Sequence, residues 1–268
     1  MNRTDVAIVI NTCPAYFYLL EAHFGLLRRY GAECNWPVYL ATECWNKESL
    51  VVLCNKYNVK ILKLDHADYD FFESRVAAMK LLPSAIQYVL PLQEDFLLER
   101  PGLNYDALEH ALKVFDEEEN VVSIRLMPCP GVPDSHSSYG LWKKMTPVDQ
   151  LFSYQATLWR KTIYRDYIHR IIDYSNELYP ELSSSTKSWN EYAIRTNPAE
   201  THIGLTLLKL MNPHAVHLCW PRKSVWANAV YHCPWPYRPT AVVRGTLEPW
   251  AEEMIRREGF YLNKNLWL

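Results

Sequence analysis

The sequence predicts an α/β chain: a mostly parallel sheet flanked by helices, followed by an elaborated C-terminal half. Three observations lead there. Short β-branched runs alternate with segments of helical periodicity through residues 1–127, an order that sets parallel strands between helical layers. Two of the helical segments stop at residues suited to ending a helix, Gly31 and Pro83. After Met127 the alternation is lost. With no internal repeat and no clear linker, residues 1–268 read as one domain, with a ligand-binding half over 1–127 and a second half over 128–268.

The elements follow in order. Val6–Asn11 is a strand buried on both faces. Ala15–Tyr30 carries Tyr18, Leu19, Ala22, Leu26 and Leu27 at helical spacing. Pro37–Thr42 is a second strand, Lys47–Tyr57 a helix, Val59–Leu64 a third strand and Phe71–Leu82 a third helix. Tyr88–Leu92, Tyr105–Phe115 and Val121–Met127 complete the array as strand, helix and strand. Pro128–Tyr139 reads as a long loop, Ser153–Trp159 as a strand and Lys161–Tyr174 as a helix. A Ser-rich loop (Tyr179–Pro198) leads to a helix over Glu200–Met211 and a strand over Ala215–Cys219. The Pro- and aromatic-rich stretch Pro221–Pro239 precedes an amphipathic helix, Glu248–Glu258.

Composition excludes several classes. With 49% hydrophobic and 22% charged residues the chain is neither disordered nor collagen-like. A net charge of −2 provides no field for nucleic acid or anionic membranes. Only 8 residues are Gly, and neither GxxxxGK[ST] nor GxGxxG occurs, so phosphates are not cradled by a glycine-rich loop. The seven cysteines are scattered and without a CxxC pair, which argues for a reducing compartment over disulfides or structural zinc. Val6–Ile10 is too short for the apolar core of a signal peptide, and no apolar run is long enough to span a membrane. The expectation is a soluble, cytoplasmic protein with no nucleic-acid partner and no transmembrane segment.

In such sheets ligands bind beyond the carboxyl ends of the strands. The polar residues there are Asn11, Thr12, Thr42, Glu43, Asp65 and the triplet Gln93-Glu94-Asp95. The triplet is the most informative. An apolar strand runs into two adjacent carboxylates, which must find a cation or protonate if buried. Mg²⁺ or Mn²⁺, which favours one or two carboxylates plus substrate phosphates, is one such cation. The alternative is that the acids end the strand and meet solvent or Arg100. Arg75, on the preceding helix, is placed to reach a diphosphate or orient Asp95.

The acidic strand end, the helix Ser74-Arg75-Val76-Ala77-Ala78-Met79-Lys80-Leu81-Leu82 and the five-strand beginning resemble the nucleotide-sugar-dependent glycosyltransferases of the GT-A fold. So do Ser153-Tyr154-Gln155-Ala156-Thr157-Leu158-Trp159-Arg160 and Val243-Arg244-Gly245 with the following helix and Glu258-Gly259. The chain is most similar to those of bacterial and viral surface-polysaccharide clusters. This resemblance implies a GT-A-like (Rossmann-like) sheet with a sugar donor along the first four strand ends, and Asp95, helped by Glu94, as metal ligand. The family's DxD pattern has an acid at both ends, whereas this chain has Gln93 first.

An inverting transfer needs a general base near the acceptor hydroxyl. The resemblance places it in the second half, where Glu200 and Glu191 are the candidates. Gln155 and Trp159, on strand positions of one parity, are candidate acceptor contacts. His202 and His217 are weaker candidates for a metal ligand, and Trp220, Trp226, Tyr231, Trp235 and Tyr237 for a sugar-lining wall. The expected activity is transfer of a sugar from a nucleotide-diphospho-sugar, UDP-linked, to a glycan hydroxyl, assisted by Mn²⁺ or Mg²⁺. The rival readings are a catalytically silent carbohydrate-binding scaffold and a nucleotidyltransferase. The latter normally carries a Gly-rich first loop followed by Lys or Arg, which Asn11-Thr12-Cys13-Pro14 lacks.

Overall fold

A computed structural model of the chain describes residues 3–65, 71–100, 102–127, 133–146, 151–178, 202–221, 233–238, 241–243 and 245–262. Nine strands form one mixed, mostly parallel sheet in the order β3-β2-β1-β4-β8-β5-β9-β7-β6. They are β1 (Val6–Asn11), β2 (Val38–Thr42), β3 (Val59–Lys63), β4 (Tyr88–Gln93), β5 (Val121–Arg125), β6 (Pro133–Tyr139), β7 (Trp142–Met145), β8 (Thr157–Arg160) and β9 (Val216–Cys219). Among the described residues the α-helices are α1 (Leu20–Tyr30), α2 (Glu48–Lys56), α3 (Phe71–Leu81), α4 (Tyr105–Glu117), α5 (Lys161–Leu178), α6 (His202–Met211) and α7 (Pro249–Arg257). A two-stranded hairpin, β10 (Val242–Val243) with β11 (Thr246–Leu247), precedes α7.

All six residues of β1 are buried because both faces are covered. Val6, Ile8 and Ile10 point into a layer formed by α1, α2, α4 and α7, and Ala7 and Val9 into one formed by α3, α5 and α6. Strand alternation sends successive side chains into different layers. The outer strand β3 exposes Lys60 and Lys63, whose ammonium groups lie over the Tyr39 and Trp45 rings at 5.6 and 4.6 Å. Charge at an edge discourages pairing with another chain.

The winding reverses beside β1. Strands β1, β2 and β3 step outward in one direction, and the connection through α3 then returns β4 to the opposite side of β1. Register is continuous across this pair, from Val6 opposite Tyr88 to Asn11 opposite Gln93.

Three sequence expectations need correction. The helix over Ala15–Tyr30 is a 3₁₀ helix over Pro14–Leu19 that passes into α1; the two helix types share close apolar spacings, so periodicity merges them. The loop expected through Tyr139 contains β6, paired antiparallel with β7. The turn between them uses Gly140 at φ 64°, against which the His110 ring packs, so a side chain there would meet both strain and the imidazole. The strand expected over Ser153–Trp159 begins only at Thr157 and runs antiparallel between β4 and β5, so the two halves of the chain share one sheet.

Arg160 secures that insertion. Its guanidinium donates to the carbonyls of Val121, Phe115 and Glu118 at 2.8, 2.7 and 3.1 Å, and lies over the Tyr88 and Phe115 rings. Arg160→Met keeps the stem and removes the donors, leaving three carbonyls short of a charged partner. The expected loss is about 2 kcal/mol, read as a lower urea midpoint at unchanged slope.

Candidate functional site

The carboxyl ends of β1 and β4 are the switch point of this sheet, the place where a crevice opens because neighbouring connections leave in opposite directions. Asn11 ends β1 and Gln93 ends β4, side by side. Asn11 is 7% exposed, and its buried Nδ2 has no hydrogen-bond partner among the described residues. Thr12 is also buried, with its amide bonded to the Ala41 carbonyl.

Glu94 and Asp95 follow at once and are 9% and 7% exposed. Neither forms an ion pair with a described residue. Burial first, then the neighbouring Asp95 charge, push the Glu94 carboxyl up to about 8, while Arg75 draws it back slightly. Burial pushes Asp95 up to about 6, opposed by backbone amides that include those of Val242 and Ala241. Asp95 Oδ2 accepts from the Val242 amide at 3.2 Å. Burial without a cation holds both acids toward their neutral forms.

Two contacts that sequence reasoning missed hold this turn. His23, on α1 and 3% exposed, donates from Nδ1 to the Glu94 carbonyl at 3.1 Å. Burial pushes this imidazole down to about 4, so it is neutral at pH 7. An imidazole inside the apolar run Leu20–Leu27 was the available signal. The second contact is a C-terminal strap. The Asn104 amide bonds to the Pro234 carbonyl at 3.1 Å, Leu98 bridges Tyr237 antiparallel, Glu99 pairs with Arg238 at 2.7 Å, and Asp95 meets Val242. A backbone amide has no signature in sequence, so the Val242 contact was not legible.

The remaining expected residues divide. Arg75, 4% exposed, lies under the end of β4: Nη1 donates to the Phe71 carbonyl at 2.8 Å, and the guanidinium carbon is 3.4 Å from the Phe71 ring centroid. Thr42 is fully buried, and its hydroxyl accepts from the Cys44 amide at 3.3 Å, closing the turn after β2. Glu43 is half-buried in that turn. Asp65 is exposed beyond β3, two strands from β1, or roughly 10 Å away at ordinary strand spacing. Gln155 precedes β8 rather than sharing it with Trp159, and its Oε1 accepts from the Tyr237 hydroxyl at 2.6 Å. Trp159 is core, packed with Phe152, Tyr164 and His217. His217 is engaged with Ser123 Oγ at 2.7 Å, and burial pushes it down to about 3. Glu191, Glu200, Trp226 and Tyr231 lie outside the described residues, as does the side chain of His202.

A divalent cation fits the acid pair in its chemistry. Two hard carboxylates, both buried and without an ion-pair partner among the described residues, suit Mg²⁺ or Mn²⁺ completed by phosphate and water. Among the described residues no group of three or more His, Cys, Asp or Glu side chains is placed to hold a metal, so Glu94 and Asp95 would need ligand oxygens to complete the shell. None of the six described cysteines is in a disulfide, and among the described residues no helix is long and apolar enough to cross a membrane.

No protein-family model matches the chain, and no curated protein matches it. Solved structures are similar in layout. S. aureus TarS 1-349 in complex with UDP covers 82% of this chain and 59% of its own length, at 12% identity and TM-score 0.45. A cytidylyltransferase from Leptospira borgpetersenii covers 96% and 95%, at 9% identity and TM-score 0.44. Mouse xyloside xylosyltransferase 1, apo form, covers 84% and 90%, at 14% identity and TM-score 0.40. The chain spans 30% of the longer TarS structure. These likenesses concern the arrangement of sheet and helices alone; the functional reading rests on the site residues.

The acid pair makes stability depend on pH in a stated direction. Both folded-state values lie above the ordinary carboxylate range, so the contribution is complete only below the ordinary values of 3.8 and 4.5, and it is lost as pH rises through about 6 for Asp95 and about 8 for Glu94. The loss is at most ~1.4 kcal/mol per pH unit for each group. Without divalent cations the melting temperature should fall between pH 5 and pH 8, and Glu94→Gln should remove most of that fall.

Proposed function

We propose that the chain is a glycosyltransferase that takes its sugar from a nucleotide-diphospho-sugar, UDP-linked, and passes it to a glycan hydroxyl. The observation that carries this reading is the buried Glu94–Asp95 pair at the β1/β4 switch point, two carboxylates with no ion-pair partner among the described residues at the place where such sheets bind ligands. Asn11 supports it, since its unpartnered Nδ2 is a ready donor to a base or ribose oxygen. When bound, Mg²⁺ or Mn²⁺ would offset the charge that develops on a departing diphosphate. Glu94 and Asp95 would hold it, and His23 fixes the peptide that joins the two acids.

The acceptor's general base is proposed in the second half, with Glu200 and Glu191 as candidates. A nucleotidyltransferase is not favoured: where that class places a glycine-rich phosphate loop, this chain has Pro14 opening a 3₁₀ helix.

Titration calorimetry with UDP, UDP-glucose, GDP-mannose and a deoxynucleoside triphosphate, with and without Mn²⁺, tests the proposal. Metal-dependent UDP binding should weaken at least tenfold in both Glu94→Gln and Asp95→Asn. Binding of glycans with no nucleotide affinity would favour the scaffold reading instead. Protons and metal compete for the two acids, so Mn²⁺ affinity should rise between pH 6 and pH 8; a flat profile counts against them as ligands.

A further inference from the structure

Tyr237 is fully buried and so cannot line a sugar groove; its hydroxyl instead joins the C-terminal strap to the segment ahead of β8. Its ring stacks on Phe96, the residue after Asp95, with centroids 4.8 Å apart. The hydroxyl accepts from the Ala156 amide at 3.0 Å, which leaves its proton to be donated. Gln155 Oε1 lies 2.6 Å away and Met127 Sδ 3.3 Å. Oxygen is the stronger acceptor, and so short a separation suits O–H···O rather than N–H···O. Burial pushes the phenol up, so the proton stays on it. The Gln155 carboxamide is thereby held one way round, with its oxygen toward Tyr237 and its nitrogen turned away.

The rest of Gln155 is committed as well. Its backbone amide donates to Ser153 Oγ at 3.3 Å, and its backbone carbonyl accepts from Thr157 Oγ1 at 2.8 Å. Of its polar atoms, Nε2 is the one with no hydrogen-bond partner among the described residues. The side chain lines a cleft together with Gln93, the residue that leads into the acid pair. That cleft has room for roughly one water, which is the size of one hydroxyl group and far below that of a sugar ring. A sugar held at the acid pair can send in a single hydroxyl while its ring stays outside.

We infer that Gln155 determines specificity by donating from Nε2 to one hydroxyl oxygen of a bound sugar, and that Tyr237 is a positioning residue that acts through it. A carboxamide free to turn offers a ligand either its donors or its acceptor; one whose oxygen is already occupied offers only the donors. The hydroxyl belongs either to the transferred sugar or to the sugar that receives it. This placement of the sugar rests on the transferase reading.

Calorimetry in two arms tests this. Protein with Mn²⁺ is titrated with UDP, UDP-glucose and UDP-galactose, which reads a contact to the transferred sugar. Protein saturated with UDP and Mn²⁺ is titrated with methyl glucoside and methyl galactoside, which reads a contact to the receiving sugar. In one arm Gln155→Met should weaken the sugar-bearing probe about fivefold, the worth of one hydrogen bond, while UDP alone stays within about twofold. Tyr237→Phe keeps the ring on Phe96 and should weaken the same probe. The double variant Tyr237→Phe/Gln155→Met should lose no more than Gln155→Met alone, whereas a merely structural tyrosine would lower the melting temperature and leave sugar affinity in place. The inference is overturned if Gln155→Met leaves every sugar-bearing probe unchanged, or weakens UDP as much as the UDP-sugar. It is equally overturned if Tyr237→Phe leaves sugar affinity intact, or weakens it to the same extent with and without Gln155. Should UDP fail to bind while a methyl glycoside binds in a Gln155-dependent way, the transferase reading fails and the sugar contact stands.

Discussion

Two carboxylates, one peptide apart and nearly out of reach of water, are the constraint around which the rest of this molecule is arranged. Ionising Glu94 and Asp95 together in that setting is unfavourable, and among the described residues no lysine or arginine pairs with either. What it supplies instead is immobility. His23 grips the peptide carbonyl from α1, and an amide from the C-terminal hairpin takes one oxygen of Asp95. A site held this firmly by neutral groups keeps its charge requirement unmet until a cation or a proton arrives.

The sheet explains why these acids stand where a ligand can find them. Reversal of the winding beside β1 leaves a crevice above Asn11 and Gln93, and the acids follow at its lip. The antiparallel β8 then widens the sheet on the far side of β4 and brings Gln155 and Tyr154 next to Arg75. One half of the chain thus builds the crevice, and the other builds its neighbouring wall.

Much of this was legible in sequence. The strands β1 to β5 were visible because β-branched runs bounded by turns have few other readings, and once they are ordered the polar residues at their ends follow. The insertion of β8 was not, because its partners lie some 35 and 70 residues away and a short strand carries no mark of direction. Strand β6 was read as loop because Pro133-Asp134-Ser135-His136-Ser137-Ser138 lacks an apolar alternation. Within the site, Asn11, Arg75 and the acid pair were legible as charged or amide side chains at strand ends and on the helix between. Thr42 looked equally suited to a ligand, yet its hydroxyl serves the local turn, since short polar side chains satisfy nearby backbone first.

The strap formed by residues 233–238 and 241–243 bears on how the protein is made. Asp95 is translated early, but the amide that orients it belongs to a residue added almost 150 positions later. A product truncated before Val242 would therefore carry both acids without the backbone amide that holds one oxygen of Asp95.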